Sequence, residues 1–453
     1  MDSPSPRPAQ GAPRRAPRTL LLVLVAAMAA GPLFNFALAA LSSQVTADYG
    51  ITEGQYGLII TIVFLLAGLS SALLGNLADR IPVRVQIAVI FGLMIAGFLV
   101  SISAPTYAAL LAAAVIAGPA QAFANPVTNR IIAGTVPPEK RGAWMGWKQS
   151  GVQFGLLFAG VTVPFVGGLA GWTGVALMCV SVLGVLLVLG WLVLTRMQRA
   201  RTTREPVETG EDAPVPEEPD SDGSSAAVTG AGAGAGAGER PAGTDDPAED
   251  PAQKAPRPRV PLPPAVWLLA LCAFLNAVGT QGVNAYASLF AVQTVDYPIE
   301  LAGTMLAIIG VLGIVARNVW GRIAGRVRSA ALLIQIMNLG GILAAGGLIV
   351  VEHTHLVPLM WAAVTLHAFF PLAANVVINS AVVASAPAGR IGVASGLVAA
   401  GMNFGFALGP LVMGLGIDVF GGYTPGWITL GAVYLGCYAV AVALSRAGRR
   451  GRR

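Results

Sequence analysis

The stretch Gly75-Asn76-Leu77-Ala78-Asp79-Arg80-Ile81-Pro82-Val83-Arg84 sets three charges between two long charge-free runs, 54–78 and 85–129. Roughly 20 apolar residues in a helix cross the hydrocarbon core of a bilayer. The first run is one such span, and the second, broken at Ala104-Pro105, is two. The quoted stretch is then a short polar loop at a membrane surface. Gly75 lets two helices approach closely there. Asp79 stands among arginines, where a charge pair made in one conformation and broken in another biases a two-state equilibrium. The bland alternative is a cluster of interfacial charges that only fixes topology.

The same alternation continues in both directions. Further charge-free runs cover 19–47, 149–195, 260–295, 391–417 and 419–445, and the run 149–195 breaks at Gly167-Gly168-Leu169-Ala170-Gly171. The spans expected from this pattern are 20–42, 55–75, 85–104, 106–130, 143–167, 172–195, 265–291, 300–317, 329–350, 356–383, 391–416 and 424–445. The expected fold is an all-α integral membrane protein of twelve transmembrane helices. Arg14-Arg15, the apolar stretch after them and Ala37-Leu38-Ala39 have the outline of a secretory signal, but eleven spans follow, so the stretch reads as a first span.

All 28 Lys and Arg residues can be placed on one side of such a membrane. They fall at the N-terminus, in the even-numbered loops and at the C-terminus. The odd-numbered loops hold Asp48, Glu53, Asp296, Glu300, Glu352 and Asp418 and no Lys or Arg. Retained positive charge marks the cytoplasmic side. Both termini are therefore expected in the cytoplasm, in a multi-pass protein of the cell's inner membrane. The composition agrees: 55% of residues are hydrophobic and 11% charged, against about 25% charged in soluble domains. The net charge of +6 then reflects topology and an anionic inner leaflet rather than nucleic acid. Cys179, Cys272 and Cys437 lie singly in apolar segments without metal-ligand spacing, as small hydrophobes do. No metal site and no cofactor are expected.

Residues 197–264 differ from the rest. They are rich in Pro, Glu, Asp and Gly and include an alternating Gly-Ala tract from Gly230 to Gly238. Such a segment cannot bury a core and is expected to be a disordered cytoplasmic linker. The chain thus divides into a disordered N-terminus 1–18, a six-helix half 19–196, the linker 197–264, a second six-helix half 265–446 and a basic tail 447–453.

The halves repeat each other. Asn125 and Asn129 on the fourth span match Asn375 and Asn379 on the tenth, 250 residues later. Gly146, Gly151, Phe154 and Gly155 match Gly396, Gly401, Phe404 and Gly405, and Gln153 stands opposite Asn403 in that frame. Asn35 corresponds loosely to Asn284. Gly75 to Arg80 parallels Gly321-Arg322-Ile323-Ala324-Gly325-Arg326. Internal repeats of this kind point to a secondary transporter with its site between two pseudo-symmetric halves.

With these features the chain resembles the major facilitator superfamily. The family pattern in the loop after the second span is near G-x-L-A-D-R-x-G-R-K/R. Here Gly75, Leu77, Ala78, Asp79, Arg80 and Arg84 agree, while Pro82 and Val83 depart from it. The resemblance implies the twelve-helix fold, a central cavity lined by the first, fourth, seventh and tenth spans, and a role for Gly75, Asp79, Arg80 and Arg84 in gating. Drug/proton antiporters of the family carry R-x-L-x-G on the fourth span and a Pro after the second glycine on the fifth. Ala114-Val115-Ile116-Ala117-Gly118 lacks the Arg, and Gly155-Leu156 lacks the Pro. A drug antiporter is thereby disfavoured.

Polar groups inside the membrane are costly and mark function. No Asp or Glu lies deep in a span. Three cations lie in or near one: Arg130, Lys148 and Arg317. Arg130 and Arg317 are near cytoplasmic ends, from which they either snorkel or act. Lys148 is the deepest, two helical turns or roughly 10 Å beyond Arg141 at 1.5 Å per residue. It reads as a substrate or gating group, or as a structural one. Cations without buried carboxylates favour an anionic or neutral solute.

Asn35, Gln121, Asn125, Asn129, Gln281, Asn284, Asn375 and Asn379 either bind that solute or join helices. His367, the one ionisable group of the tenth span, is the candidate for proton coupling, or else a packing residue.

No phosphate-cradling loop or catalytic constellation is present, so the chain is not expected to be an enzyme or an ATP-driven pump. The expected function is secondary transport of a small organic solute by alternating access, coupled to a proton or another ion. The expected partners are that solute, the coupling ion and the lipid bilayer, with the chain acting as a monomer. Efflux of a metabolite or drug is the alternative within the class. A non-transporting receptor is the alternative outside it.

Overall fold

The computed structural model describes residues 18–78, 81–202, 261–327, 329–387 and 390–450. The N-terminal segment 1–17, the linker residues 203–260, the tail 451–453 and the motif residues Asp79 and Arg80 lie outside the described residues. Every regular element is helical: α1 (Arg18–Ala30), α2 (Leu33–Ala40), α3 (Ser42–Tyr49), α4 (Glu53–Ala78), α5 (Val83–Ser101), α6 (Tyr107–Thr135), α7 (Pro138–Thr202), α8 (Pro264–Val295), α9 (Ile299–Ala324), α10 (Ala330–Thr354), α11 (Val357–Phe369), α12 (Ala374–Ser385), α13 (Ile391–Phe420) and α14 (Thr424–Arg450). In hydrocarbon each backbone N–H and C=O must be satisfied within its own segment, which a helix does.

Ten helical stretches are long and apolar enough to cross a membrane. One of them, Ala143–Met197, holds two spans, because Gly171 leaves helical geometry at φ 60° and ψ −165°. That left-handed φ suits glycine alone, and it reverses the chain within the glycine-rich run the sequence marks. The pair α1 and α2, bent by 54°, makes a further span. The total among the described residues is twelve, as the sequence implies. Two spans are less regular than hydropathy suggests. The first bends at Gly31-Pro32, since proline offers no N–H to continue the ladder. The tenth breaks between α11 and α12, where Phe370 (φ −102°, ψ −81°) precedes a single 3-10 turn at Pro371–Ala373.

The matched glycines draw helices together in both halves. A Cβ on Gly155 would stand 2.8 Å from the Ala29 carbonyl oxygen, and one on Gly401 would stand 2.9 Å from that of Ala270. The fifth span thus packs on the first, and the eleventh on the seventh.

The halves meet along two seams. One joins α4 to α13 and α8, and it is anchored at the edge carrying the acidic loops. Thr52 and Gln55 form a capping box at the start of α4. Thr52 Oγ1 accepts from Gln55 N at 3.1 Å, and Gln55 Oε1 accepts from Thr52 N at 3.0 Å. Asp418, from the far half, completes this cap. It accepts from Gly54 N at 3.1 Å and from Thr52 Oγ1 at 2.8 Å. A carboxylate here also meets the positive end of the α4 dipole.

Deeper in the same seam, Tyr286 donates to the Glu53 carbonyl at 2.6 Å and Tyr56 to the Ala285 carbonyl at 3.1 Å. Thr61 donates to the Ala407 carbonyl at 2.7 Å. The second seam joins the first arm of α7 to α9, with the Gly310 position 3.1 Å from the Gln153 carbonyl oxygen.

Removing the Asp418 carboxylate removes a helix cap across the halves, worth about 0.5–2 kcal/mol. Asp418→Ala is expected to raise the open fraction of this seam by roughly 2- to 30-fold. The check is the labelling rate of a Thr61→Cys probe by a membrane-impermeant maleimide applied from the acidic-loop side. An unchanged rate would show that Asp418 does not hold the seam.

Candidate functional site

Lys148 sits inside the fifth span with 2% of its surface exposed. Its ammonium is enclosed by the fourth span. Nζ donates to Asn125 Oδ1 at 3.0 Å, to Thr128 Oγ1 at 2.9 Å and to Asn129 Oδ1. These three oxygens match the three N–H bonds of an ammonium and replace its hydration without a carboxylate. The spacing of Asn125 and Asn129 places both on one helix face, and Thr128 lies between them.

Since Lys148 takes both amide oxygens, the Nδ2 groups of Asn125 and Asn129 are left without partners among the described residues. Both residues are exposed. Lys148 thereby sets the orientation of two amides whose remaining groups are donors.

The second half lacks this arrangement. The repeat position of Lys148 is Val398, buried at 1% exposure. Asn375 and Asn379 make no hydrogen bond among the described residues, and the Asn375 Oδ1 atom is buried without a partner. The symmetry of the sequence is therefore broken at Lys148.

Asn35 Nδ2 donates to Gln121 Oε1 at 3.2 Å, joining the first and fourth spans, while Asn35 Oδ1 stays buried and unpaired. In the second half Asn284 Oδ1 lies 3.1 Å from His367 Nε2, joining the seventh and tenth. The loose correspondence of Asn35 with Asn284 is thus one of role. An amide oxygen can only accept, so Nε2 carries a proton. His367 is fully buried, and Nδ1 has no partner. Gln281 is buried and makes no hydrogen bond among the described residues.

Of the motif residues, Gly75 ends its span within α4. The Arg84 guanidinium lies over the Trp191 ring, 5.5 Å from its centroid, a cation–π contact within the first half.

Two participants and one pairing escaped the sequence reading. Thr128 completes the Lys148 cage, and only its place between the asparagines hinted at it. Asn276, fully buried on α8, donates to the Pro371 carbonyl at 3.1 Å. It satisfies the backbone freed where the tenth span breaks. Gln153 and Arg317 meet across the halves. With the Gln153 carboxamide turned so that its oxygen faces the guanidinium, that oxygen accepts from Nη2 at 2.9 Å and Nη1 at 3.2 Å. Among bonds between described residues this is the cross-half link furthest from the acidic edge.

The fold, with these polar groups between two related halves, is that of a membrane transporter. Residues 21–398 match the Major Facilitator Superfamily, and the chain belongs to that family. It is not an enzyme. Among solved structures it is similar to a bacterial homologue of the human lysosomal transporter Spinster in an inward-facing, occupied conformation, at TM-score 0.63 and 17% identity over 95% of each chain. It is also similar to the nucleoside transporter NupG, at TM-score 0.65 and 12% identity over 94% of this chain and 99% of that one. A third is the human organic anion transporter MFSD10 (TETRAN), at TM-score 0.60 and 15% identity over 94% of this chain and all of that one. No curated protein sequence matches the chain.

The cage makes a thermodynamic statement. Deleting an acceptor leaves a buried ammonium undersolvated, whereas deleting lysine and acceptor together does not. A double-mutant cycle of Lys148→Met and Asn129→Leu is expected to show a coupling of about 1–3 kcal/mol, read from unfolding of the purified protein. Additive effects would show that the cage does not form.

Proposed function

We propose that this protein moves a small anionic or neutral organic solute across the inner membrane by alternating access, driven by a proton or another ion. One observation carries the reading most: among the described residues, the hydrogen bonds between the halves other than Gln153–Arg317 gather toward one edge. The cap at Asp418, the tyrosine bonds and the Thr61 bond close the edge of the acidic loops. The amides Asn125, Asn129 and Asn379 stay exposed toward the other edge. A two-state transporter caught with one gate shut has this form. With both termini and all basic loops in the cytoplasm, the open side is the cytoplasmic one.

The solute class follows from the donors. Asn125 and Asn129 offer N–H groups, and the spans contain cations but no deep carboxylate. Such a surface suits carboxylate, carbonyl or hydroxyl oxygens. Asn35, Gln121, Gln281, Asn284, Asn375 and Asn379 are the further candidate contacts. His367 is the candidate proton carrier. It is reached from the outside once the acidic seam opens, and a buried neutral ring can then accept a proton at Nδ1. Asp79 and Arg80, with Gly75 and Arg84, are assigned to the gate of the opposite state. The organic anion transporter among the similar structures agrees with this class through its fold alone.

Reconstituted protein is expected to catalyse saturable uptake of at least one solute from a panel of organic anions, sugars and nucleosides. Uptake should depend on pH, and that dependence should vanish in His367→Gln while solute exchange persists. Absence of flux for every member of the panel contradicts the transporter reading. A pH profile unaltered in His367→Gln returns that histidine to packing.

The orientation is checked separately. A reporter fused after Arg453 is expected in the cytoplasm and one inserted at His353 outside it. A C-terminal reporter found outside contradicts the assignment of the open side.

A further inference from the structure

Of the cations in the spans, Lys148 has each of its three donors occupied by oxygens of its own half. Arg130 is exposed near the basic edge and has an interaction of its own. Arg84 is engaged with Trp191. Arg317 differs from all of these. It is half-buried on α9, and its Nε, like that of Arg84, is fully buried with no hydrogen-bond partner. Its one acceptor among the described residues is the neutral amide oxygen of Gln153, which comes from the opposite half. A guanidinium carries five N–H donors in a planar fork that fits the two oxygens of a carboxylate. Here a single uncharged oxygen occupies that fork, bonded by both Nη atoms, and no carboxylate among the described residues pairs with it.

The surroundings hold Gln153 in place. Gly313, one turn before Arg317, leaves room for its amide: a Cβ there would stand 2.8 Å from the carboxamide atom turned away from the guanidinium. The repeat positions carry no such pair. At the repeat offset of this hairpin Ser71 corresponds to Arg317, and its hydroxyl donates to the Ala67 carbonyl of its own helix at 2.8 Å. Asn403 corresponds to Gln153. The guanidinium is therefore placed on one seam only.

We propose that Arg317 is the anion-recognition group of the transport site. A carboxylate-bearing organic solute takes the guanidinium fork from Gln153, and in doing so releases the deepest link between the halves. This rests on the transporter reading above and deepens it. A ligand shifts a conformational equilibrium only by binding the two states differently. Competition with Gln153 supplies that difference, because the solute and the cross-half bond claim the same donors. Lys148, on this proposal, orients the Asn125 and Asn129 amides and does not hold the anion itself.

The test uses full-length protein in nanodiscs. It is melted in sodium acetate, lactate, benzoate and succinate and in the matching uncharged amides, at equal ionic strength. At least one carboxylate is expected to raise the melting temperature saturably, and its amide is not. Losing hydrogen bonds to a charged group is expected to weaken that apparent affinity roughly 10- to 100-fold in Arg317→Gln, with Arg317→Lys intermediate. Gln153→Ala, which removes the competitor, should tighten binding. Gln153→Glu should weaken it although Arg317 is intact, because a tethered carboxylate then fills the fork. These opposite effects at position 153 keep the proposal open to refutation even if Arg317→Gln folds poorly.

Equal affinity in wild type and Arg317→Gln, or in wild type and Gln153→Glu, overturns it. So does the absence of stabilisation by every carboxylate. In either of those cases flux of a neutral solute would leave the transporter reading standing, whereas no flux of any solute would remove that reading whatever binds.

Discussion

A charge inside hydrocarbon must be given oxygen atoms, and this requirement shapes the protein more than any other. The spans contain few polar side chains, and two of the cations among them, Lys148 and Arg317, are met by amides and a hydroxyl. Lys148 is caged by Asn125, Thr128 and Asn129, and Arg317 is met by Gln153. The first arrangement lies within one half and fixes the fourth span against the fifth. The second lies between halves and can be undone without unfolding either. On the proposal above, similar chemistry serves rigidity in one place and movement in the other.

The repeat explains why the distinction exists. Two copies of a six-helix unit give two equivalent seams and two equivalent asparagine pairs. A binding site for one solute needs asymmetry, and the chain introduces it at two positions. Val398 stands where the first half has Lys148, and Ser71 stands where the second has Arg317. The glycine contacts that pack the fifth span on the first and the eleventh on the seventh remain alike in both halves. The mechanical frame is therefore repeated and the chemistry is not.

Much of the frame was legible in the sequence because lipid leaves few options. Long charge-free runs and the sorting of Lys and Arg gave the spans, and the glycines near Gly171 marked a reversal between two of them. The bend at Pro32 and the break at Phe370 were less visible, since a lone proline in a span is compatible with a continuous helix, as Pro126 and Pro410 show. Site residues were legible one at a time and not as partners. The depth of Lys148 followed from its distance to Arg141, and the shared face of Asn125 and Asn129 from their spacing. That those amides point at Lys148 depends on how two helices pack, which no local pattern encodes. The meeting of Gln153 with Arg317 joins residues far apart in the chain, and snorkelling was an equally good account of an arginine near a span end. Asp418 read as a topological charge until its place over the α4 terminus was seen.

The central claim is that the structure is one end state of a protein whose two edges open in alternation. Paired spin labels measure this directly. One pair, at Ser103 and His353, reports the acidic edge. The other, at Ala133 and Val383, reports the basic edge, and all four positions are exposed. Distances are recorded in nanodiscs over a range of pH and with added organic anions. The account requires the two distances to change in opposite directions, the acidic edge widening as the basic edge closes. Two edges that stay fixed under every condition, or that widen together, would contradict it.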